Sequence, residues 1–345
     1  MSAAAFRHNP AHHIKHPEET LMMSKPRALK ALVAAVVTCA CLSAHAQQYP
    51  TKPVRVIIPF PPGGPTDIMG RFAADTLTKA YGVQFVADNR AGAGGNIGTE
   101  LCAKSPPDGS TLCVMTVAQS ISPAIYRKLP FDPVKDFAHV MLMAQLPSML
   151  TVHPSLPVKN VKELVALARS KPGQMSYAST GNGTSPHMLM EMFKYMTATD
   201  MVHVPYKGQA PAVLDQISGQ VQTAFNTAIG VIPHVKSGRL RGIAISTKER
   251  FAAMPELPSV AESGVKDFDG GSWNGLIMPA GTPQEIVNRI HAPVAAELRS
   301  PAGKEAMLRN GAIASGSSPA EFAAFIKMEA AKWAKVAKFA KIQLD

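Results

Sequence analysis

Val54-Arg55-Val56-Ile57-Ile58, followed by Pro59-Phe60-Pro61-Pro62-Gly63-Gly64-Pro65-Thr66-Asp67, reads as a short apolar strand that hands over to a helix through a glycine turn. The same succession returns soon afterwards as Gln84-Phe85-Val86-Ala87 and then Arg90-Ala91-Gly92-Ala93-Gly94-Gly95-Asn96-Ile97-Gly98. Each turn aims free backbone N–H groups and a positive helix end at one point, which is how a fold holds an anion without spending a charged side chain. Glycine suits such a turn because it reaches positive φ and has no side chain to keep a ligand off the backbone.

The alternation extends outward from these turns. A third strand is expected over 111–115, after the breaker cluster Ser105-Pro106-Pro107-Asp108-Gly109. The punctuated stretch 123–157 shows few periodic elements apart from the apolar run 140–146. A second βα series then begins, with the turns Thr180-Gly181-Asn182-Gly183-Thr184-Ser185-Pro186 and Pro205-Tyr206-Lys207-Gly208 and strands over 175–179, 202–204, 221–225 and 240–245. The segment 270–279 is strand-like again, and helices close the chain; the last has Ser318 at its N-cap, Pro319 at its first position and Glu321 at the capping-box position. The pattern predicts an α/β protein of two lobes, each a mostly parallel sheet flanked by helices, with a cleft between them. The expected division is 1–46 as upstream extension and signal peptide, 47–147 as the first lobe, 148–268 as a second lobe inserted in it, and 269–345 as the return to the first. Ligands of such sheets bind outside the carboxyl ends of the strands, where every turn quoted above falls.

The basic stretch Ser24-Lys25-Pro26-Arg27-Ala28-Leu29-Lys30, the apolar run 31–42 and Ala44-His45-Ala46 match the three regions of a secretory signal, so export with cleavage after Ala46 is expected. That apolar run is shorter than the roughly 20 residues of a membrane span. His8, His12, His13 and His16 lie ahead of it and read either as a metal tract or as an extension upstream of a start at Met22 or Met23. The 345-residue chain carries a formal net charge of +11, which suits acidic ligands or an anionic surface. Scattered basic residues without a base-stacking aromatic cluster speak against nucleic acid. Beyond the signal only Cys102 and Cys113 remain, and they read either as a disulfide or as two buried thiols.

Reaction chemistry is harder to find. Gly92, Gly94 and Gly98 miss the dinucleotide spacing, because Ile97 stands where the third glycine belongs, and no Gly-Lys-Ser/Thr follows either turn. Gly183-Thr184-Ser185-Pro186-His187 resembles a nucleophile elbow but lacks its last glycine, and Pro186 removes an oxyanion-hole N–H; a serine hydrolase using Ser185 is the rival reading. No metal-binding spacing occurs, and no cofactor is expected. Neutral donors are plentiful instead: Thr66, Asn96, Gln119, Ser120, Ser179, Thr180, Asn182, Thr184, Ser185 and Asn226 fall on expected turns or strand ends facing the cleft. Such groups orient a carboxylate without reacting with it. Asp67 either supports its turn or meets a ligand ammonium or water. Lys207 either neutralises a carboxylate or is solvated, and His187 and His203 are either structural or ligands. Tyr206 offers an apolar body with a polar tip.

Pro61-Pro62-Gly63-Gly64 with Thr66-Asp67, Gly92-Ala93-Gly94-Gly95-Asn96-Ile97-Gly98, Ala103-Lys104-Ser105-Pro106-Pro107-Asp108-Gly109 and Tyr206-Lys207-Gly208, in this order, resemble the solute-binding receptors of tripartite tricarboxylate transporters, the Bug receptors. The resemblance extends from Tyr49 to the terminal helices. It implies a two-lobe periplasmic binding protein of type II fold that closes on a small organic carboxylate and presents it to a membrane permease, or to a sensor protein, as a monomer. It further implies that Phe60 and the Gly63–Asp67 turn, with Gly94, Gly95, Asn96 and Ile97, hold one carboxylate, partly through ordered waters. The second-lobe turn from Ser179 to Leu189, which includes Thr180, Gly181, Thr184, Ser185 and His187, is implied to choose the rest of the ligand. Gln119 and Ser120, Tyr206, Lys207 and Gly208, and Asn226 complete the expected site.

Overall fold

The computed structural model describes residues 49–344; the expected signal peptide and the early histidines lie outside the described residues. Strands and helices alternate in chain order as β1 (Val54–Ile58), α1 (Pro65–Tyr81), β2 (Phe85–Asn89), α2 (Asn96–Ala103), β3 (Thr111–Thr116), α3 (Val117–Ile125) and β4 (Phe137–Val152). They continue as α4 (Val161–Ser170), β5 (Ser176–Ser179), α5 (Ser185–Thr197), β6 (Val202–Pro205), α6 (Gln209–Ile217), β7 (Thr223–Thr227), α7 (Ala228–Lys236) and β8 (Arg241–Ile245). The last elements are β9 (Gly271–Pro279), α8 (Gln284–Arg299), α9 (Pro301–Arg309), β10 (Ile313–Ala314) and α10 (Pro319–Phe339). Local chemistry explains the boundaries. Pro65 occupies the first turn of α1, where its missing N–H costs nothing, and Gly82 ends that helix at φ 67°. Ser318 and Glu321 close a reciprocal capping box on α10.

The architecture is the two-lobe α/β fold of periplasmic binding proteins, and its sheet is mixed rather than mostly parallel. β1 runs parallel to β2 and β3, and β5 parallel to β6 and β7. Between these parallel sets lie β4 and β9, antiparallel to the strands they join. The stretch expected to hold little regular structure contains β4, sixteen residues long and buried over most of its length. Residues 137–147 of β4 pair with β9, and from Ser148 onward the strand pairs with β7, with β8 on its other edge. Pro147 stands at the changeover, opposite Gly271. A proline is tolerable there because the ladder changes partners at that point. A strand that leaves one lobe for the other, and one that returns, must run against their neighbours; alternation of βα units alone does not reveal this.

A second departure concerns 117–120. This segment forms α3 rather than a turn, with Thr116 and Gln119 closing a capping box directly at the end of β3. Cys102, late in α2, is joined by a disulfide to Cys113 in β3, with the Cα atoms 6.3 Å apart.

The terminal helix α10 is tied to β9 by one buried carboxylate. Glu329 Oε2 accepts from Trp273 Nε1 at 3.1 Å and from Trp333 Nε1 at 2.9 Å. Both indoles are fully buried, and Trp273 packs edge-on against Phe322 and Phe325. Glu329→Ala strands two buried N–H donors at once and is expected to lower unfolding stability by about 2–4 kcal/mol. Denaturant titration checks this, with Glu329→Gln, which keeps an acceptor, avoiding most of the loss.

Candidate ligand cleft

The first turn is braced from behind by Asp67. Its carboxylate accepts from Gly63 N at 2.9 Å, Asn89 Nδ2 at 2.9 Å and Arg71 Nε at 3.0 Å. Burial pushes this carboxyl up, but the bonds from Arg71, the Gly63 N–H and Asn89 outweigh it and hold Asp67 below its ordinary value. Asp67 therefore sets the shape of the turn and has no face toward a ligand, and the Gly63 N–H is already used. Thr66 and Gly64 do line the cleft, beside Phe60.

The second turn winds through Gly94 at φ 63° and Gly95 at φ 99°. A Cβ on Gly94 would lie 2.7 Å from the Asn182 carbonyl oxygen of the second lobe, so this glycine allows the two lobes' turns to meet. Gln119 supports the turn from below, its Oε1 accepting from the Thr116 N–H and its Nε2 lying 3.5 Å from Gly94 O. Asn96 is buried and accepts from Ser122 Oγ at 2.9 Å, which ties it to α3 instead of the cleft. Ile97 is exposed and its side chain covers Gly92. Ser120 is buried, and its Oγ has no hydrogen-bond partner among the described residues.

In the second lobe, Ser179 Oγ accepts from Gly181 N at 3.1 Å and lies 2.7 Å from His203 Nε2. His187 Nδ1 accepts from Gly183 N at 3.1 Å, and the His187 and His203 rings stack at 4.1 Å. Tyr177 stacks on the outer face of His203 and donates to Glu191. Burial, reinforced by the Lys194 charge, pushes His187 down to about 4; burial, with His187 and Lys194 beside it, pushes His203 down to about 3. Ser179 and His187 thus hold the turn from behind and do not line the cleft. Thr180, Thr184 and Ser185 do line it. The Ser185 hydroxyl donates to Gly271 O at 2.9 Å, and no histidine or carboxylate among the described residues is bonded to it to act as a base.

Tyr206 presents its ring to an outer chamber, but its hydroxyl donates to Asp215 Oδ2 at 2.7 Å. Lys207 stands exposed on the same rim. A Cβ on Gly208 would sit 3.3 Å from Pro61, a second close approach between the lobes. Asn226 faces away from the cleft: its Nδ2 donates to Thr151 Oγ1 at 2.9 Å and Gln216 Oε1 at 2.8 Å inside the second lobe. Its neighbour Thr227 lines the cleft instead and exchanges hydrogen bonds with Gln209. The two are neighbours on β7, where a step of one residue reverses the face.

The cleft holds two chambers that share Phe60, Pro61 and Thr180: the inner, of about 60 Å³, is the one lined by the strand residues Thr116, Leu146, Thr227 and Ser272, and the outer, of about 400 Å³, the one lined by the second glycine turn with Tyr206 and Lys207. Among the described residues no charged side chain lines the inner chamber. Thr116, Leu146, Gln209, Thr227 and Ser272 belong to its wall and were not expected from the sequence. Gln209 carried a legible signal, since it follows Gly208 at a helix start, whereas Leu146 and Ser272 lie inside strands and carried none.

Comparison with known proteins is consistent with this geometry. The profile of the family described as "Tripartite tricarboxylate transporter family receptor" matches residues 69–342. Protein BugT of Bordetella pertussis is 34% identical over 299 residues, covering 85% of this chain and 90% of BugT. The structure of Rpa4515 of R. palustris with adipate superposes with a TM-score of 0.84 at 37% identity, over 86% of this chain and 99% of that one. MatC (Rpa3494) of Rhodopseudomonas palustris, with bound malate, gives 0.80 at 28% identity, over 84% and 99% of the two chains.

Two outcomes follow from the turns. Gly94→Val places a branched side chain against the Asn182 carbonyl at a positive φ, and is expected to weaken ligand affinity by at least about tenfold; calorimetric titration checks it, with circular dichroism showing the fold retained. The histidine pair makes stability fall on acidification. Both rings bind protons more readily unfolded than folded, so the contribution is complete above about pH 6.5 and is lost as pH falls toward about 4. Thermal midpoints across that range should show this slope, flattened in His187→Asn.

Proposed function

This chain belongs to the tripartite tricarboxylate transporter receptor family, and from that premise we propose that it is an exported, non-enzymatic receptor that captures a small organic carboxylate and delivers it to a tripartite-type membrane permease. Receptors of this family are periplasmic. Cleavage after Ala46 and release of a monomer into the periplasm are part of the proposal. So is a division into lobes at 47–147, 148–268 and 269–345, with the chain crossings near Pro147 and Gly271 serving as the hinge.

One observation carries the reading: a chamber walled by both lobes, rich in backbone turns and hydroxyls and free of charged side chains. Neutral donors already fixed in place can hold an anion by hydrogen bonds that water would otherwise make, and they release it when the lobes part. The free N–H groups at the starts of α1 and α2 supply the positive potential. Gly64, Thr66, Gly94 and Gly95 are assigned to one carboxylate and Thr180, Gly181, Thr184, Ser185 and Gly208 to the remainder of the ligand, with Phe60 as the wall between chambers. Asp67, Asn96, Gln119, Ser179 and His187 are assigned to support. Ile97, Tyr206 and Lys207 are assigned to the cleft's outer rim, and Asn226 to the second-lobe core. Lys207 is the cation that a second carboxylate in the outer chamber would meet.

Thermal unfolding of the protein from Gln47 onward, alone and with a panel of di- and tricarboxylates, acidic amino acids and aromatic acids, tests the reading. A ligand at a thousand times its dissociation constant adds about 4 kcal/mol, so a selective upward shift is expected. No shift with any member, after denaturing and refolding to strip carried-over ligand, would overturn it.

A further inference from the structure

Asn274, on β9, is fully buried, and neither its Nδ2 nor its Oδ1 has a hydrogen-bond partner among the described residues. An amide offers two donors and an acceptor with two lone pairs, and burying all of it unpaired is costly. Folded proteins rarely keep such a group without use.

The strand register shows where this amide lies. Asn274 is flanked by Thr116 on β3 and Ala144 on β4, and the next pair along is Ser272 with Leu146. Thr116, Ser272 and Leu146 all line the inner chamber. Residues two apart on a strand share a face, so Asn274 stands on the face that floors the cleft. The residues between them confirm the assignment. Trp273 packs against Phe322 and Phe325 of α10, and a Cβ on Gly275 would meet Phe322 at 2.1 Å, so the odd-numbered residues face the opposite side. One helical turn beyond Thr116 is Ser120, whose buried Oγ is likewise unpartnered.

We propose that Asn274, with Ser120, forms a polar subsite at the floor of the cleft that takes a hydroxyl group of the bound carboxylate, directly or through one ordered water. This rests on the carboxylate-receptor reading and adds a preference to it. A hydroxyl both donates and accepts, which matches an amide that presents both functions. A second carboxylate matches poorly, because Oδ1 would oppose it and the inner chamber has no cation to offset its burial. Asn274 lies within a strand, away from every glycine turn, and was therefore not among the residues expected from the sequence.

The test compares the purified protein with Asn274→Leu and Ser120→Ala by calorimetric titration against matched acids with and without a hydroxyl: malate and succinate, citrate and tricarballylate, lactate and propionate. Leucine keeps asparagine's branching at Cγ and removes its polar atoms but is larger, so the ligand-free unfolding midpoint is measured beside the titrations and circular dichroism shows the fold retained. The wild-type protein should prefer the hydroxylated member of the pair it binds by about tenfold or more, and Asn274→Leu should erase that preference while changing affinity for the plain acid by less than about threefold. Ser120→Ala should reduce the preference by a smaller factor. Wild-type binding of a plain acid with no gain from the hydroxyl, an undiminished preference in Asn274→Leu, or an equal loss for both acids each overturns the subsite. If the wild-type protein binds no carboxylate in any pair, the receptor reading fails first and the subsite with it.

Discussion

The structure depends on one strand being shared. β4 gives the first eleven of its residues to the sheet containing β9 and the remainder to the sheet containing β7 and β8. Because both ladders are built on the same backbone, the two lobes cannot be displaced along that strand without breaking hydrogen bonds in each. The changeover between the two ladders falls at Pro147. Pro147 and Gly271 face each other there, one without an N–H to bond and the other without a side chain to clash. The turns of the two lobes consequently meet at fixed partners, Gly94 with Asn182 and Gly208 with Pro61.

Within that frame Asp67 and His187 stand behind the turns of the cleft. Asp67 is consumed by Gly63, Asn89 and Arg71, and His187 by Gly183. Each takes one N–H of its turn, and in the second lobe Ser179 Oγ takes another, from Gly181. The arrangement separates two tasks that conflict if given to one residue, since a charge that shapes a turn also repels or over-binds an anion held by it. A wall of fixed neutral dipoles needs little reorganisation when the ligand arrives, and charges placed one layer back keep it fixed.

The glycine turns, the order of βα units and the helix caps were legible in the sequence because each is decided by neighbours in the chain. Gly63, Gly94, Gly95 and Gly181 adopt the positive φ values their turns require, and Ser318 caps its helix as the spacing predicts. The antiparallel crossing strands were not legible. An apolar run such as 140–146 reads the same whether its neighbours run with it or against it, and strand direction is set by distant partners. The site followed the same rule. Thr180 and Thr184, on turns, line the cleft, whereas Asn226 points into the second lobe, because the face of a strand residue depends on a register that only pairing establishes.

What the sequence by itself determined is the local grammar: where the chain turns and which helices start with free N–H groups. Those properties follow from backbone sterics and short-range hydrogen bonds, which act over a few residues. Tertiary structure alone decided which of the polar residues face the cleft. Ser179, His187 and Asn96 were drawn behind their turns by partners far along the chain or on neighbouring elements, while Ser272 and Asn274 were brought to the floor by β9 pairing with β3 and β4. The physical reason is that a polar side chain takes the best hydrogen bond available once packing has removed water, and for a residue in a strand that competition is settled by whichever strands pack beside it.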